Sequence, residues 1–148
     1  MNITRAQLEE LIDDDTFMER GESYFESGSV KLISIKEKSV EAESLGSRLY
    51  QINLYFDKDN GYLDGNCSCP AFEDYGPCKH IAATGLALIA QNKGGYNPSE
   101  EFEDRRSELT RIRDLLMKKD KKELVDMILK FADDDPEIYY MLDEEGYY

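Results

Sequence analysis

The stretch of sequence that decides the fold is CSCPAFEDYGPCKH, which runs from Cys67 to His80. It contains all three cysteines of the chain and its single histidine, spaced as C-x-C, eight residues, then C-x-H. Residues two apart in an extended segment point to the same face, so Cys67 and Cys69 can aim both sulfurs at one point. The prolines and the glycine of the intervening segment allow it to turn back towards them. The spacing therefore predicts a metal site.

The predicted ligands are Cys67, Cys69, Cys78 and His80. Three thiolates and one imidazole complete a tetrahedral set around Zn²⁺ and leave no open position for water or substrate. Thiolate-rich sites favour zinc over magnesium or calcium. Cys78 and His80 come where the next helix is expected to begin, and the helix dipole there favours thiolate over thiol. We therefore expect one structural zinc ion.

Two other interpretations of these residues are weaker. Buried cysteines beside an ordinary surface histidine would not explain why all four residues fall within fourteen positions. A cysteine protease needs one activated thiol beside a base, which leaves the second and third cysteines unexplained. Redox sensing through zinc-bound thiolates rests on the cysteines alone, and we rank it last.

The pattern C-x-C-P…G-P-C-K-H-I-A resembles the SWIM-type zinc finger, whose motif is C-x-C-x(n)-C-x-H. The four ligands match that motif residue by residue. The segment from Arg20 to Val30 also resembles what precedes the finger in many prokaryotic members, so that the resemblance covers roughly residues 16–92. It implies strands before the first cysteine pair and a helix after the last. It also implies a module that binds DNA or proteins, often beside helicases, transposases or recombination factors.

The sequence before the finger predicts two helices. Arg5–Ile12 follows Thr4, which forms a capping box with Gln7. A second helix fits Phe17–Ser27, with Thr16 as its predicted cap.

The pattern then changes from helical to alternating, which predicts a four-stranded antiparallel meander. Its predicted strands are Val30–Lys36, Val40–Leu45, Tyr50–Asp57 and Tyr62–Cys67. Helical segments follow the finger: Cys78–Gln91, Glu100–Lys118, one that begins at Asp120, and a short one from Pro136.

The fold class is therefore α+β. A small antiparallel β-meander is joined through the zinc site to a helix, with N-terminal helices before it and a helical C-terminal segment after it. We assign residues 1–95 to the N-terminal helices plus the finger, whose core spans about 48–92. Residues 96–148 form a helical extension that we expect to belong to the same compact unit.

Charge and composition narrow the function. The net charge is −14, and no segment is strongly basic, which argues against strong non-specific binding to nucleic acid. The longest apolar run, Ile81–Ala90, is too short to span a membrane, and the N-terminus lacks the apolar core of a signal peptide. We expect a cytoplasmic protein, or a nuclear one in a eukaryote.

The sequence contains no glycine-rich phosphate loop, serine triad or convincing carboxylate pair. We therefore predict no enzymatic activity and no small-molecule substrate.

Candidate partner-binding residues lie in and after the zinc loop, which is the segment of residues 70–77 between Cys69 and Cys78. Phe72, Tyr75 and Lys79 could stack on bases or hold a partner, although Phe72 could equally shield the metal from water. The densest basic stretch supplies four further candidates, Arg105, Arg106, Arg111 and Arg113. It could contact phosphates, but we favour a solvated helix face with local ion pairs.

The acidic tail Asp133–Tyr148 contains four tyrosines. We expect residues 139–142 to pack, and the last four residues to be disordered.

The sequence is consistent with two candidate functions. The first is a non-catalytic protein-interaction module, with an accessory subunit of a DNA-processing ATPase as one candidate role. The alternative is direct DNA or RNA binding through the zinc loop and the local basic stretch.

Overall fold

Two short helices open the chain, and the computed structural model describes residues 1–57 and 59–143. Helix α1 spans Arg5–Ile12, as predicted. The Thr4 side chain accepts a hydrogen bond from the backbone N–H of Gln7, and the Gln7 side chain accepts one from the backbone N–H of Thr4. This capping box satisfies two of the free N–H groups at the start of the helix.

Helix α2 spans Asp15–Glu26 and begins two residues before the predicted start. The prediction of Thr16 as its cap is wrong, because the Asp14 carboxylate accepts the hydrogen bond from the backbone N–H of Phe17. Aspartate is a better N-cap than threonine, and its negative charge is favourable at a helix N-terminus.

The four predicted strands form a single sheet in the order β1-β2-β3-β4, with every neighbouring pair antiparallel. The predicted meander is thus confirmed. The strands are β1 Val30–Ile35, β2 Ser39–Leu45, β3 Leu49–Phe56 and β4 Leu63–Cys67. One face of the sheet is buried, since alternate residues of β2 and β3 face the core.

The sheet leads through the zinc loop into two helices. Helix α3 (Pro70–Tyr75) lies where the sequence predicted only a turning loop, and Pro70 occupies its first turn, where proline is tolerated. Helix α4 (Lys79–Lys93) packs against all four strands and against both N-terminal helices. Its residues from His80 to Leu88 are all buried, so α4 is the centre of the core.

The chain divides into two compact units, Met1–Arg106 and Ser107–Tyr148, and the division falls inside helix α5 (Glu100–Leu116). Residues 96–106 therefore belong to the same unit as the finger. The expectation that all of residues 96–148 share that unit stays a prediction.

The second unit continues with helices α6 (Lys121–Asp134) and α7 (Pro136–Asp143). Among its described side chains, Ala132 alone is buried. The prediction that residues 139–142 pack is wrong, because more than half of each of these side chains is exposed. The prediction that the last four residues are disordered concerns residues outside the described ones. Within residues 1–57 and 59–143, none of the helices has the length and apolar character needed to cross a membrane.

Candidate metal centre

Three successive elements of the first unit position the four predicted ligands. Cys67 is the last residue of β4 and is held in register with Ile52 of β3. Cys69 is the N-cap residue of α3, and Cys78 is the N-cap residue of α4. His80 lies in the first turn of α4. The structure brings all four residues to one point, with their donor atoms within 4.8 Å of one another.

The distances between donor atoms suit a tetrahedral metal. The Sγ atoms of Cys69 and Cys78 are 3.5 Å apart. His80 Nδ1 lies 3.8 Å from the Sγ of Cys67 and 3.7 Å from the Sγ of Cys78. Ideal Zn–S and Zn–N bonds at tetrahedral angles place two sulfurs about 3.8 Å apart and a sulfur and a nitrogen roughly 3.6 Å apart. The donor set and its spacing therefore fit Zn²⁺, with Nδ1 as the histidine ligand atom.

The cluster is closed to solvent. Its four residues are between 0% and 5% exposed. Backbone N–H groups donate to the sulfurs: that of Cys69 to Cys67, that of Phe72 to Cys69, and that of Ile81 to Cys78. Such hydrogen bonds stabilise the thiolate form that binds metal.

The thiols differ in their acidity. A hydrogen bond from the Cys67 thiol, together with those from His80 and the Ile81 backbone, lowers the pKa of Cys78 to about 4. The same hydrogen bond holds the proton on Cys67 and raises its pKa. Burial raises the pKa of Cys69. Metal binding must displace protons from Cys67 and Cys69, whose pKa values are raised.

This geometry agrees with the comparison against protein families, in which residues 50–88 match the model of the SWIM zinc finger. The chain carries a SWIM zinc finger. The match begins in β3 and ends within α4, so it covers the cysteine pair, the loop and the histidine. Neither the comparison with curated proteins nor that with solved structures found a match. The SWIM match and the Cys₃His cluster together indicate a zinc-binding module.

Residues from inside and outside the matched segment surround the histidine of the SWIM finger. The His80 ring lies between Tyr24 of α2, at a centroid distance of 5.2 Å, and Tyr50 of β3, at 4.9 Å. Its Nε2 atom is buried and has no hydrogen-bond partner among the described residues. A side chain at Gly46 would lie 3.3 Å from that nitrogen and 2.7 Å from the Tyr50 ring, so the close approach of this backbone requires glycine.

The sequence motif before the finger is explained by the contact between α2 and α4. A Cβ atom at Gly21 would lie only 2.4 Å from the Cβ of Ala82, so glycine allows the two helices to approach closely. This approach brings Tyr24 onto the imidazole of His80. The resemblance of residues 20–30 to the segment that precedes the finger in SWIM proteins was the sequence signal for this contact. It did not identify Ala82 as the partner of Gly21 or His80 as the partner of Tyr24.

The candidate residues of the zinc loop have different surroundings. Phe72 is half-buried and packs against the core, which is where a side chain that shields the metal would lie. Tyr75 is 73% exposed, and its ring centroid is 6.5 Å from that of Phe17 in α2. The Lys79 Nζ atom lies 4.5 Å from the centroid of the Tyr24 ring, in a cation–π contact. Tyr75 is thus the loop residue most available to a partner.

The four candidate arginines are divided between the two units. Arg105 is exposed, whereas Arg106 pairs with Glu43 of β2, which raises the pKa of its guanidinium. Both belong to the first unit. Arg111 and Arg113 are exposed and belong to the second unit.

Proposed function

We propose that the protein is a non-catalytic interaction module, in which one zinc ion fixes the shape of a surface that binds a partner protein. The observation that carries this proposal is the position of Tyr75. The zinc loop presents this exposed aromatic side chain beside a groove that α1 and α2 complete.

A structural role for the metal follows from the donor set. Three sulfurs and one nitrogen fill the tetrahedral positions of a zinc ion, so none is left for a substrate or an activated water. The ligands are also buried, which keeps substrates away from the metal. None of the three cysteines forms a disulfide, which suits a reducing compartment such as the cytoplasm.

The groove offers an anchor point for an apolar side chain. It has a volume of about 640 Å³, and its walls come from the end of α1, the start of α2 and the zinc loop. Phe17, Tyr75 and Pro77 supply aromatic and apolar surface. Buried aromatic anchors contribute much of the binding energy in protein interfaces. Loss of the metal would release the loop that carries Tyr75, so zinc binding and partner binding are coupled.

The charge around the groove favours a protein over nucleic acid. Asp13 and Asp14 line both this groove, together with Arg20, and a neighbouring acidic depression. In that depression Arg5 pairs with Glu9 and Glu22, and Glu19 adds a further carboxylate, so acids outnumber bases in both places. Carboxylates repel phosphates and attract Lys and Arg side chains. A partner segment with an apolar anchor next to basic residues fits this surface. An accessory role beside a DNA-processing ATPase is the candidate role that the SWIM resemblance favours.

A pull-down with matched tyrosine variants tests the proposal. Tyr75→Ser removes the anchor without touching the metal ligands, and Tyr62→Ser removes another exposed tyrosine, which is 64% exposed. Wild-type protein and Tyr62→Ser should retain the same partner from native cells, and Tyr75→Ser should lose it. Equal retention by all three proteins would overturn the assignment of the groove.

The alternative is direct DNA or RNA binding, which the exposed Arg111 and Arg113 favour. Binding of a labelled single strand and a duplex at about 50 mM salt tests it, because phosphate contacts are strongest at low salt. We expect no binding. Binding that is lost in Arg111→Glu/Arg113→Glu would establish the alternative.

A further inference from the structure

The described part of the second unit, residues 107–143, lacks a core of its own. Helix α6 carries an apolar stripe, here called the α6 face, formed by Leu124, Val125, Ile128, Leu129 and Phe131. Four of these side chains are between 43% and 55% exposed, and Leu124 is half-buried. A unit this short buries too little surface to be stable alone, so another surface is expected to cover the α6 face.

The order of charges along α6 indicates what that surface is. The helix begins with Lys121 and Lys122, which lie between the capping pair Asp120 and Glu123, and it ends with Asp133 and Asp134. The two lysines and the two aspartates are exposed. The last turn carries no basic residue, and anions at the C-terminus of a helix oppose its dipole, so the aspartate end is unfavourable in an isolated helix. A neighbour that brings positive charge to the aspartate end would offset this cost.

A second copy of α6, packed antiparallel, supplies that charge. With the two-fold axis between Met127 and Ile128, the lysines of each copy lie beside the aspartates of the other. The same register places Leu124 opposite Phe131 of the second copy. Such an interface is self-complementary, as a two-fold dimer requires, whereas a parallel arrangement would bring like charges together.

We propose that the protein forms a homodimer through antiparallel pairing of the α6 faces. This surface is distinct from the groove beside the zinc loop, and dimerisation would present two SWIM fingers to a partner.

Sedimentation of the zinc-loaded full chain from about 1 to about 200 µM tests the proposal, because dimerisation depends on concentration. We expect a monomer–dimer equilibrium at about 50 mM salt that weakens at about 500 mM, as salt screens the end charges. A monomer throughout this range would overturn the proposal. Ile128→Asp places a charge in the centre of the α6 face and should leave only monomer, and a persistent dimer would also overturn it.

Charge reversal at the helix ends tests the antiparallel arrangement. Lys121→Glu/Lys122→Glu and Asp133→Lys/Asp134→Lys each create repulsion at both ends of the dimer, and each should raise Kd about tenfold or more. The quadruple variant that combines the two pairs again places opposite charges beside each other at both ends of the dimer. Its Kd should return to within about threefold of the wild-type value. Failure of that restoration would contradict the antiparallel pairing.

Two controls separate dimerisation from folding and from net charge. Each reversed pair now suits the helix dipole, so helicity measured by circular dichroism should be kept or increased while the dimer is lost. Lys36→Glu/Lys38→Glu makes the same change in net charge as Lys121→Glu/Lys122→Glu, on exposed residues of the first unit, and should leave Kd unchanged. An equal effect of this control on Kd would overturn the role of the α6 ends.

Discussion

Replacement of Gly21 by alanine should destabilise the first unit, although alanine is the better helix former. Gly21 lies within α2, and a Cβ atom there would be 2.4 Å from the Cβ of Ala82. It would also be 3.1 Å from the backbone nitrogen of Ala83 and from the carbonyl oxygen of Lys79. Carbon atoms in contact need about 3.5–4.0 Å, so α2 and α4 must separate by about 1 Å or more.

Two opposing terms set the size of the Gly21→Ala effect. Alanine stabilises a helix by about 1 kcal/mol relative to glycine. Overpacking of a well-packed core costs about 1–3 kcal/mol, and the upper end applies because backbone atoms are among the obstacles. The net destabilisation is about 2 kcal/mol, which corresponds to a fall in Tm of roughly 8 °C for a unit of this size.

Thermal and urea unfolding in saturating zinc measure this effect. Gly94→Ala is the matched control, because nothing lies within 4 Å of its Cβ position, and its free energy of unfolding should change by less than about 0.5 kcal/mol. Ala82→Gly removes the nearest obstacle, so the double variant with Gly21→Ala should show a favourable coupling of about 1 kcal/mol. A Gly21→Ala protein that is as stable as wild type, or more stable, would refute the close approach of α2 and α4.

Two further predictions concern the core and the zinc ligands. Phe102 of α5 is 1% exposed and Ile112 is 40% exposed. Phe102→Ala should therefore lower the free energy of unfolding, measured in urea, by about 3–5 kcal/mol, and Ile112→Ala should lower it by less than about 1 kcal/mol. Equal losses of stability in the two variants would be inconsistent with this difference in burial. Zinc binding must displace protons from Cys67 and Cys69, whose pKa values are raised, so the affinity for zinc should fall as the pH falls. Competition with a chelator measures the zinc affinity between pH 8 and pH 6. For each pH unit, the affinity should fall by up to about tenfold per released proton, and an affinity that does not change with pH would contradict this prediction.

Local signals in the sequence were sufficient for most elements of the first unit. The capping box of Thr4 and Gln7 identified the start of α1, because the interaction lies within one helical turn. Strict alternation in β3 identified a strand with one buried face, and short connections predicted the meander. The four ligands could be predicted because the spacing of Cys67, Cys69, Cys78 and His80 itself specifies a metal site.

Features that depend on distant contacts or competing local signals were missed. Asp14 and Thr16 are both competent caps, and the sequence pattern did not show that the backbone would choose Asp14. Pro70 of α3 predicts a turn from sequence, although proline is equally suited to a first helical turn. The packing of Tyr24 on His80 joins residues far apart in sequence, so no local pattern identifies it.

The central claim is that Cys67, Cys69, Cys78 and His80 hold one structural zinc ion, and metal content measured together with thermal unfolding tests it most directly. Native mass spectrometry should find one zinc per chain, and none in Cys69→Ser. Removal of the metal by a chelator should unfold the region around residues 62–90, since zinc in such sites supplies ~10 kcal/mol or more towards folding. A chain without zinc, or unchanged thermal stability in excess chelator, would contradict the claim.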